Sequence, residues 1–194
     1  MSYQGIRVQD NTNFLHLGGN CVEGDPYTYS PSVWKYLIDR FSIESMLDVG
    51  GGLGYCANFF FKRGIKTVSM DGLDKNIKNA FYPTIKWDLL NGPFITSVDL
   101  VHCQEVVEHL EEKYVQNLIE TFKSGRYICM THADVNQPGE HHVNCQSTEY
   151  WIKIMENNNC YLLEEDTKRI RETASKDNSG YLISTGLIFC NRDF

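Results

Sequence analysis

Short apolar runs alternate with amphipathic stretches along most of the chain, a rhythm that predicts parallel strands joined by crossover helices. Residues 46–49 read as a short buried strand ending in glycines, and residues 55–63 as a helix stopped by Gly64. A second strand at 67–70 is followed by Asp71; a loop or short helix then leads to Tyr82 and Pro83, and a third strand occupies 85–87. A fourth strand at 99–103 runs into a long helix from about 105 to 123, and a fifth strand lies at 126–130. Upstream, Ser30 before Pro31 has the form of an N-cap for a helix at 32–40.

The rhythm changes after the fifth strand. A polar loop spans 131–146, and Ser147 has the form of an N-cap for a helix carrying Tyr150, Trp151, Ile154 and Met155. Two last strands near 161–165 and 181–189 have no clear helix between them and suit an antiparallel hairpin at the sheet edge. The charged stretch 166–179 reads as an exposed loop.

Composition narrows the picture. A chain of 194 residues with 42% hydrophobic content supplies one core, so residues 1–194 are expected to form one domain with 1–30 as an N-terminal lid segment. Cofactor and substrate must then share that core. With 18 Lys and Arg against 25 Asp and Glu the net charge is −7, which disfavours a nucleic-acid partner, since phosphate-backbone contacts need clustered basic residues. The 7 cysteines include no CxxC pair and are odd in number, as expected of reduced thiols in a cytoplasmic protein. Residues 1–13 lack a signal-peptide core, and no apolar run is long enough for a membrane span.

The strongest local signal is Asp48-Val49-Gly50-Gly51-Gly52-Leu53-Gly54 at the first strand-to-helix turn, where glycines let backbone approach a ligand closely. The GxGxG spacing differs from the GxGxxG of pyrophosphate sites, and Asp48 would repel a pyrophosphate while suiting a cationic amino-acid moiety. Asp71, closing the second strand, can accept both hydroxyls of a ribose; Asp88, after the third, can accept from an adenine amino group. These acids converge because ligands bind at the carboxyl edge of such sheets.

In these motifs the chain resembles the class I S-adenosylmethionine-dependent methyltransferases, over nearly its whole length from about Gly18. The resemblance implies an α/β fold: a Rossmann-like, seven-stranded, mostly parallel sheet with a reversed C-terminal hairpin. It also implies S-adenosyl-L-methionine as cofactor, held by Asp48, Gly50, Gly51, Gly52, Gly54, Asp71, Gly72, Asp88, Leu89 and Gln104.

The turn after the fourth strand carries Glu105, Glu108 and His109 at i, i+3 and i+4, one face of the expected helix. With His142, or next His141, from the following loop, this face can hold Mg²⁺ or Mn²⁺. The set Glu105, Glu108, His109 and His142 resembles the metal site of small-RNA 2′-O-methyltransferases, and the helix alone that of metal-assisted ubiquinone-pathway O-methyltransferases. Such a metal would bind two neighbouring acceptor oxygens. Without a metal, the acids cap the turn and His142 or His109 serves as the catalytic base, with Glu105 also expected among the catalytic residues. The segment from Pro138 to Ile152 resembles methyltransferases associated with glycan assembly, and Tyr150 and Trp151 are either a stacking wall for a sugar or core residues. Tyr27, Tyr29 and Trp34 form a further aromatic group that can lid the site.

The expected function is therefore methyl transfer from S-adenosylmethionine to a hydroxyl of a saccharide or other small polyhydroxy acceptor, with metal assistance left open. RNA 2′-O-methylation is the rival reaction, and a non-catalytic cofactor-binding partner subunit the rival of another class. DNA N-methylation lacks its Asn/Asp-Pro-Pro-aromatic tetrapeptide after the fourth strand.

Overall fold

A computed structural model describes residues 15–18, 21 and 23–194. Much of the expected lid segment, residues 1–14, 19, 20 and 22, therefore lies outside the described residues. The elements run α1 (Pro31–Phe41), β1 (Ser45–Val49), α2 (Tyr55–Phe61), β2 (Lys66–Asp71), α3 (Asp74–Asn79), β3 (Ile85–Lys86) and β4 (Val98–Cys103). They continue with α4 (Val115–Phe122), β5 (Gly125–Met130), α5 (Thr148–Glu156), β6 (Cys160–Leu162), α6 (Glu164–Ala174), α7 (Gly180–Thr185) and β7 (Leu187–Asn191).

The strands form a 7-stranded sheet in the order β3-β2-β1-β4-β5-β7-β6. Neighbours from β3 to β5 pair in parallel, whereas β7 runs antiparallel to both β5 and β6. The expected α/β sheet with a reversed C-terminal pair is thus present. Strand side chains alternate between faces, and the core divides accordingly. Met46, Leu100, Cys129 and Ile188 pack with Trp34, Leu37, Phe60, Ile170 and Leu182 on the side of α1, α2, α6 and α7. Leu47, Val101, Ile128 and Phe189 pack with Leu118, Ile119, Phe122, Trp151 and Met155 on the side of α4 and α5. Chain order reverses between β1 and β4, and the cleft described below opens there, at the carboxyl ends of the strands.

Three sequence expectations are corrected. The long helix at 105–123 is broken: Glu105 has φ 56, Val107–His109 and Glu112–Tyr114 are single 3-10 turns, and only Val115–Phe122 is α-helical. A left-handed residue cannot continue a helix, and the Glu105 amide is drawn off to the Thr131 hydroxyl at 2.9 Å. Instead of an exposed loop at 166–179 there is α6, and instead of a strand from 181 there is α7, with β7 beginning only at Leu187. The buried face of α6 is made of Asp166, Thr167, Ile170, Thr173 and Ala174, so its helical period is carried by small and polar groups that hydropathy does not register. Ser30 precedes α1, but its hydroxyl makes no capping bond; Ser147 does cap α5, accepting from the Tyr150 amide.

Burying Asp166 requires partners, and it has them. Its carboxylate accepts from the Tyr36 hydroxyl at 2.6 Å and from Arg40 Nε at 2.7 Å, tying α6 to α1. Asp166→Ala would leave Tyr36 without its acceptor and is expected to cost about 2 kcal/mol in a denaturant melt. An unchanged midpoint would show the tie to be idle.

Candidate functional site

The cleft at the carboxyl ends of β1, β2 and β4 is lined by His16, Leu17, Val49, Gly50, Gly52, Met70, Asp71, Gly72, Asn76, Trp87, Asp88, Leu89, Glu105, Val106, His109 and Leu110. Its floor is the turn after β1. Gly50 has φ 66, and a Cβ there would run into Val106, so both backbone angle and space require glycine. The Gly52 amide turns to Asp71 Oδ2 at 2.8 Å.

Asp71 stands at the end of β2 and is nearly enclosed. It accepts from the Gly52 and Leu73 amides at 2.8 and 2.7 Å and meets Asn76 Nδ2 at 3.5 Å. Burial pushes its carboxyl up to about 6 against the opposing pull of those amide bonds. Asp88 caps the turn at Leu89–Asn91 through the Leu90 amide, and its second oxygen meets His16 Nε2 at 2.9 Å. His16 and Leu17 bring the chain across the mouth: a Cβ on Gly72 would strike Leu17, and one on Gly18, at φ 48, would lie 2.5 Å from the His109 ring. The segment 15–18 thus spans from Asp88 to His109.

Four residues expected at the cofactor lie outside the cleft lining. Asp48 points to the opposite face of β1 from Val49 and is used internally, meeting His102 Nδ1 at 3.0 Å and the Ala57 amide at 3.3 Å. It braces the glycine turn and the start of α2 instead of facing a ligand. Gly51 faces Asp48 and Ser69, and Gly54 faces Tyr82. Gln104 is buried, and neither atom of its side-chain amide has a hydrogen-bond partner among the described residues.

At the other end of the cleft Glu105, Glu108 and His109 do converge, although through consecutive turns and not along one helix face. Thr131 holds Glu105 at both ends, its hydroxyl accepting from the Glu105 amide and donating to Oε1, each at 2.9 Å. Glu108 is 0% exposed, and both its oxygens lack a hydrogen-bond partner among the described residues. Burial pushes Glu105 up to about 7; Glu108, enclosed more deeply and facing Glu105, is pushed well above the carboxylate range. Glu105 opposes ionisation of Glu108, so the protonated form is favoured more strongly at Glu108 than at Glu105.

His109 Nδ1 faces the His141 carbonyl at 3.3 Å and its Nε2 lies 3.9 Å from Glu108 Oε1; burial lowers the imidazole to about 4, so it is neutral at pH 7. His142 Nδ1 faces the Gln137 carbonyl at 3.2 Å. Donor atoms of Glu108, His109 and His142 all lie within 4.8 Å of one another; of the three, His109 lines the cleft and Glu108 and His142 do not. His141 contributes only its carbonyl to His109. A second cluster, Asp48, Cys56 and His102, is wholly buried.

The aromatic groups separate in the same way. Trp151 and Trp34 are 0% and 1% exposed and belong to the core, not to a sugar wall or lid. Tyr150 packs edge-on to Trp151 and reaches Glu112 through its hydroxyl. Tyr27 and Tyr29 remain exposed and are not part of the cleft lining, with Tyr27 edge-on to Tyr181 and Tyr29 to Tyr55. Sequence reasoning missed His16, Asn76 and Thr131. Nothing in their local pattern marks them, because each acquires its partner only through the fold.

No family model matches the chain, and no curated protein does. Solved structures do. Magnesium protoporphyrin IX methyltransferase from Synechocystis with bound SAM aligns with a TM-score of 0.60 at 13% identity, over 93% of this chain and 84% of that one. A chain from the complex with the Haloferax volcanii Trm112 methyltransferase activator aligns at 0.59 and 16% identity, over 82% and 89%. The methyltransferase domain of bacterial CtHen1-CN aligns at 0.55 and 15% identity, over 68% and 85%. At such identities the likeness is one of architecture, and strand order, the reversed β7 and the glycine turn after β1 agree with it: the chain has the class I methyltransferase fold.

Proposed function

We propose that the protein transfers a methyl group from S-adenosylmethionine to a hydroxyl oxygen of a saccharide or other small polyhydroxy acceptor. The observation that carries this reading is one cleft that joins a glycine turn and a buried carboxylate, Asp71, to the Glu105 and His109 end. The Synechocystis methyltransferase is crystallised with bound SAM and a neighbour from Archaeoglobus fulgidus is named a SAM-dependent methyltransferase, which supports the cofactor. In this reading Asp71 accepts the ribose hydroxyls, Gly50 and Gly52 pass under the amino-acid portion, and Leu89 and Asp88 border the adenine.

Glu105 is the base best placed for the acceptor. It lines the cleft, and a carboxyl near 7 matches proton transfer at neutral pH. The acceptor O–H proton passes to Glu105 as the oxygen attacks the sulfonium methyl; the C–S bond breaks and S-adenosylhomocysteine leaves. His142, the first choice from sequence, lies outside the lining and suits a supporting role.

The residues also fit a divalent cation. Glu108 offers a buried carboxylate without a partner, and His109 and His142 each direct one ring nitrogen to a backbone carbonyl, the orientation that frees the other for a metal. Glu108, His109 and His142 would hold it with Glu105 beside them, and it would polarise an acceptor hydroxyl.

No Lys or Arg lines the cleft among the described residues, which favours an uncharged acceptor over a phosphate-bearing one. The test is incubation with S-adenosylmethionine and an acceptor panel of reducing-end sugars, a catechol and a short RNA, scored by mass gain, with and without chelator. Methylation of a sugar is the expected result. Methylation of the RNA alone would transfer the assignment to RNA 2′-O-methylation, and cofactor binding without turnover on any acceptor would favour a partner subunit. Chelator-resistant activity would remove the metal.

A further inference from the structure

We infer that Thr131 is the positioning residue of the acceptor end, holding Glu105 in a backbone conformation and side-chain direction that it would not otherwise keep. The inference rests on the reading of Glu105 as the group that meets the acceptor.

Glu105 has φ 56, a left-handed conformation that a side chain bearing a Cβ adopts at a cost, and such residues persist only where their surroundings over-determine them. Here one side chain bonds Glu105 at two points. Thr131 is the residue directly after β5; its amide continues the ladder by donating to the Cys103 carbonyl at 3.1 Å, and it is 0% exposed. Its hydroxyl has one proton and two lone pairs, and both functions go to the same neighbour: it accepts from the Glu105 amide and donates to Glu105 Oε1. The amide bond fixes where the chain leaves β4, and the carboxyl bond fixes where the side chain points. Together they keep Glu105 on the cleft while the following turn buries Glu108 and returns His109 to the lining. The hydroxyl also supplies Glu105 with a donor that Glu108 lacks, so the two carboxyl groups of the pair are not equivalent.

Three variants and one measurement on the unaltered protein test this. In protein labelled with ¹³C at the glutamate carboxyl, the Glu105 resonance is identified by its loss in Glu105→Gln. Thr131→Val is expected to shift that resonance, and Thr131→Ser to return it to its original position. A resonance unmoved in Thr131→Val overturns the inference. If Thr131→Val does not fold, hydrogen exchange in the unaltered protein decides: a protected Glu105 amide supports the bond to Thr131, and an amide exchanging as freely as a surface loop rejects it.

On an acceptor from the panel, Thr131→Val should lower kcat on the order of tenfold to a hundredfold with little change in KM for S-adenosylmethionine. Glu105→Gln should lose at least as much, and adding Thr131→Val to Glu105→Gln should cause no further loss. Additive losses would show two independent roles and overturn the inference. Failure of the unaltered protein to bind S-adenosylhomocysteine in calorimetry would instead remove the methyltransferase reading, while the resonance and exchange results would still decide whether Thr131 holds Glu105.

Discussion

Asp71→Ala is expected to remove measurable binding of S-adenosylhomocysteine in calorimetry, a loss on the order of a hundredfold or more. Two effects combine. The carboxylate is the proposed acceptor for the ribose hydroxyls, and it also holds the Gly52 and Leu73 amides at 2.8 and 2.7 Å, so its removal unfastens the glycine turn that the ligand rests on. Hydrogen bonds to a charged acceptor contribute about 1.5–3 kcal/mol each, so losing two of them suffices for the stated effect. Asp71→Asn, which keeps one acceptor oxygen, should bind weakly. Equal affinity in all three proteins would remove Asp71 from the cofactor site and weaken the methyltransferase reading with it.

The same residue makes a pH prediction of two opposite signs. Burial raises the folded-state carboxyl from 3.8 to about 6, so folding favours the protonated form. The corresponding stabilisation is complete below the unfolded value and is lost as pH rises through about 6. Ribose recognition needs the ionised form, so cofactor affinity should fall as pH drops below about 6, over the same range in which the Asp71 contribution to stability rises. Calorimetry and thermal melts across pH 4–8, compared with Asp71→Asn, check both signs. An affinity that is flat across that range would show that the carboxyl charge is not used.

Glu108→Leu is expected to raise the melting temperature while abolishing Mn²⁺ binding read by electron paramagnetic resonance. The Glu108 side chain is 0% exposed with both oxygens unpartnered among the described residues, and Glu105 opposes its ionisation. An apolar replacement of similar volume removes that desolvation penalty, a gain of about 1–3 kcal/mol, which for a domain near this size is a rise of about 2–12 °C. Retaining so costly a group is understandable if a ligand satisfies it, and Mn²⁺ should accordingly raise the melting point of the unaltered protein but not of the variant. A destabilised Glu108→Leu would mean that the carboxyl is already satisfied; a stabilised variant that still binds Mn²⁺ would relocate the metal.

How much of this was legible in the residues varies with the kind of interaction. Strands β1, β2, β4 and β5 are read to within a residue because apolar runs of four or five residues beside glycine or acid leave few alternatives, whereas β3 is only the exposed pair Ile85–Lys86. The glycine turn and Asp71 are legible for the same reason: they sit where a strand ends, and strand ends form the rim of a parallel sheet. The direction of Asp48 is not legible, because proximity in sequence to the glycines says nothing about which face of β1 it occupies; the alternation that sends Val49 to the cleft sends Asp48 to His102. The helix expected through Glu105 failed because a hydroxyl 26 positions later competes for its amide. α6 was hidden because its inner face relies on Asp166 and threonines, which count as polar until Arg40 and Tyr36 arrive from α1.

By itself, then, the sequence determined the strand series, the acidic balance and the glycine turn, since these depend on neighbours within a few residues. Only the tertiary structure decided which carboxylates face the cleft, that His16 meets Asp88, that Thr131 holds Glu105, and that Glu108 has no partner among the described residues while His109 and His142 stand beside it. Those outcomes depend on hydrogen bonds and burial between segments far apart in the chain, and a one-dimensional pattern carries no record of which polar groups will be enclosed together.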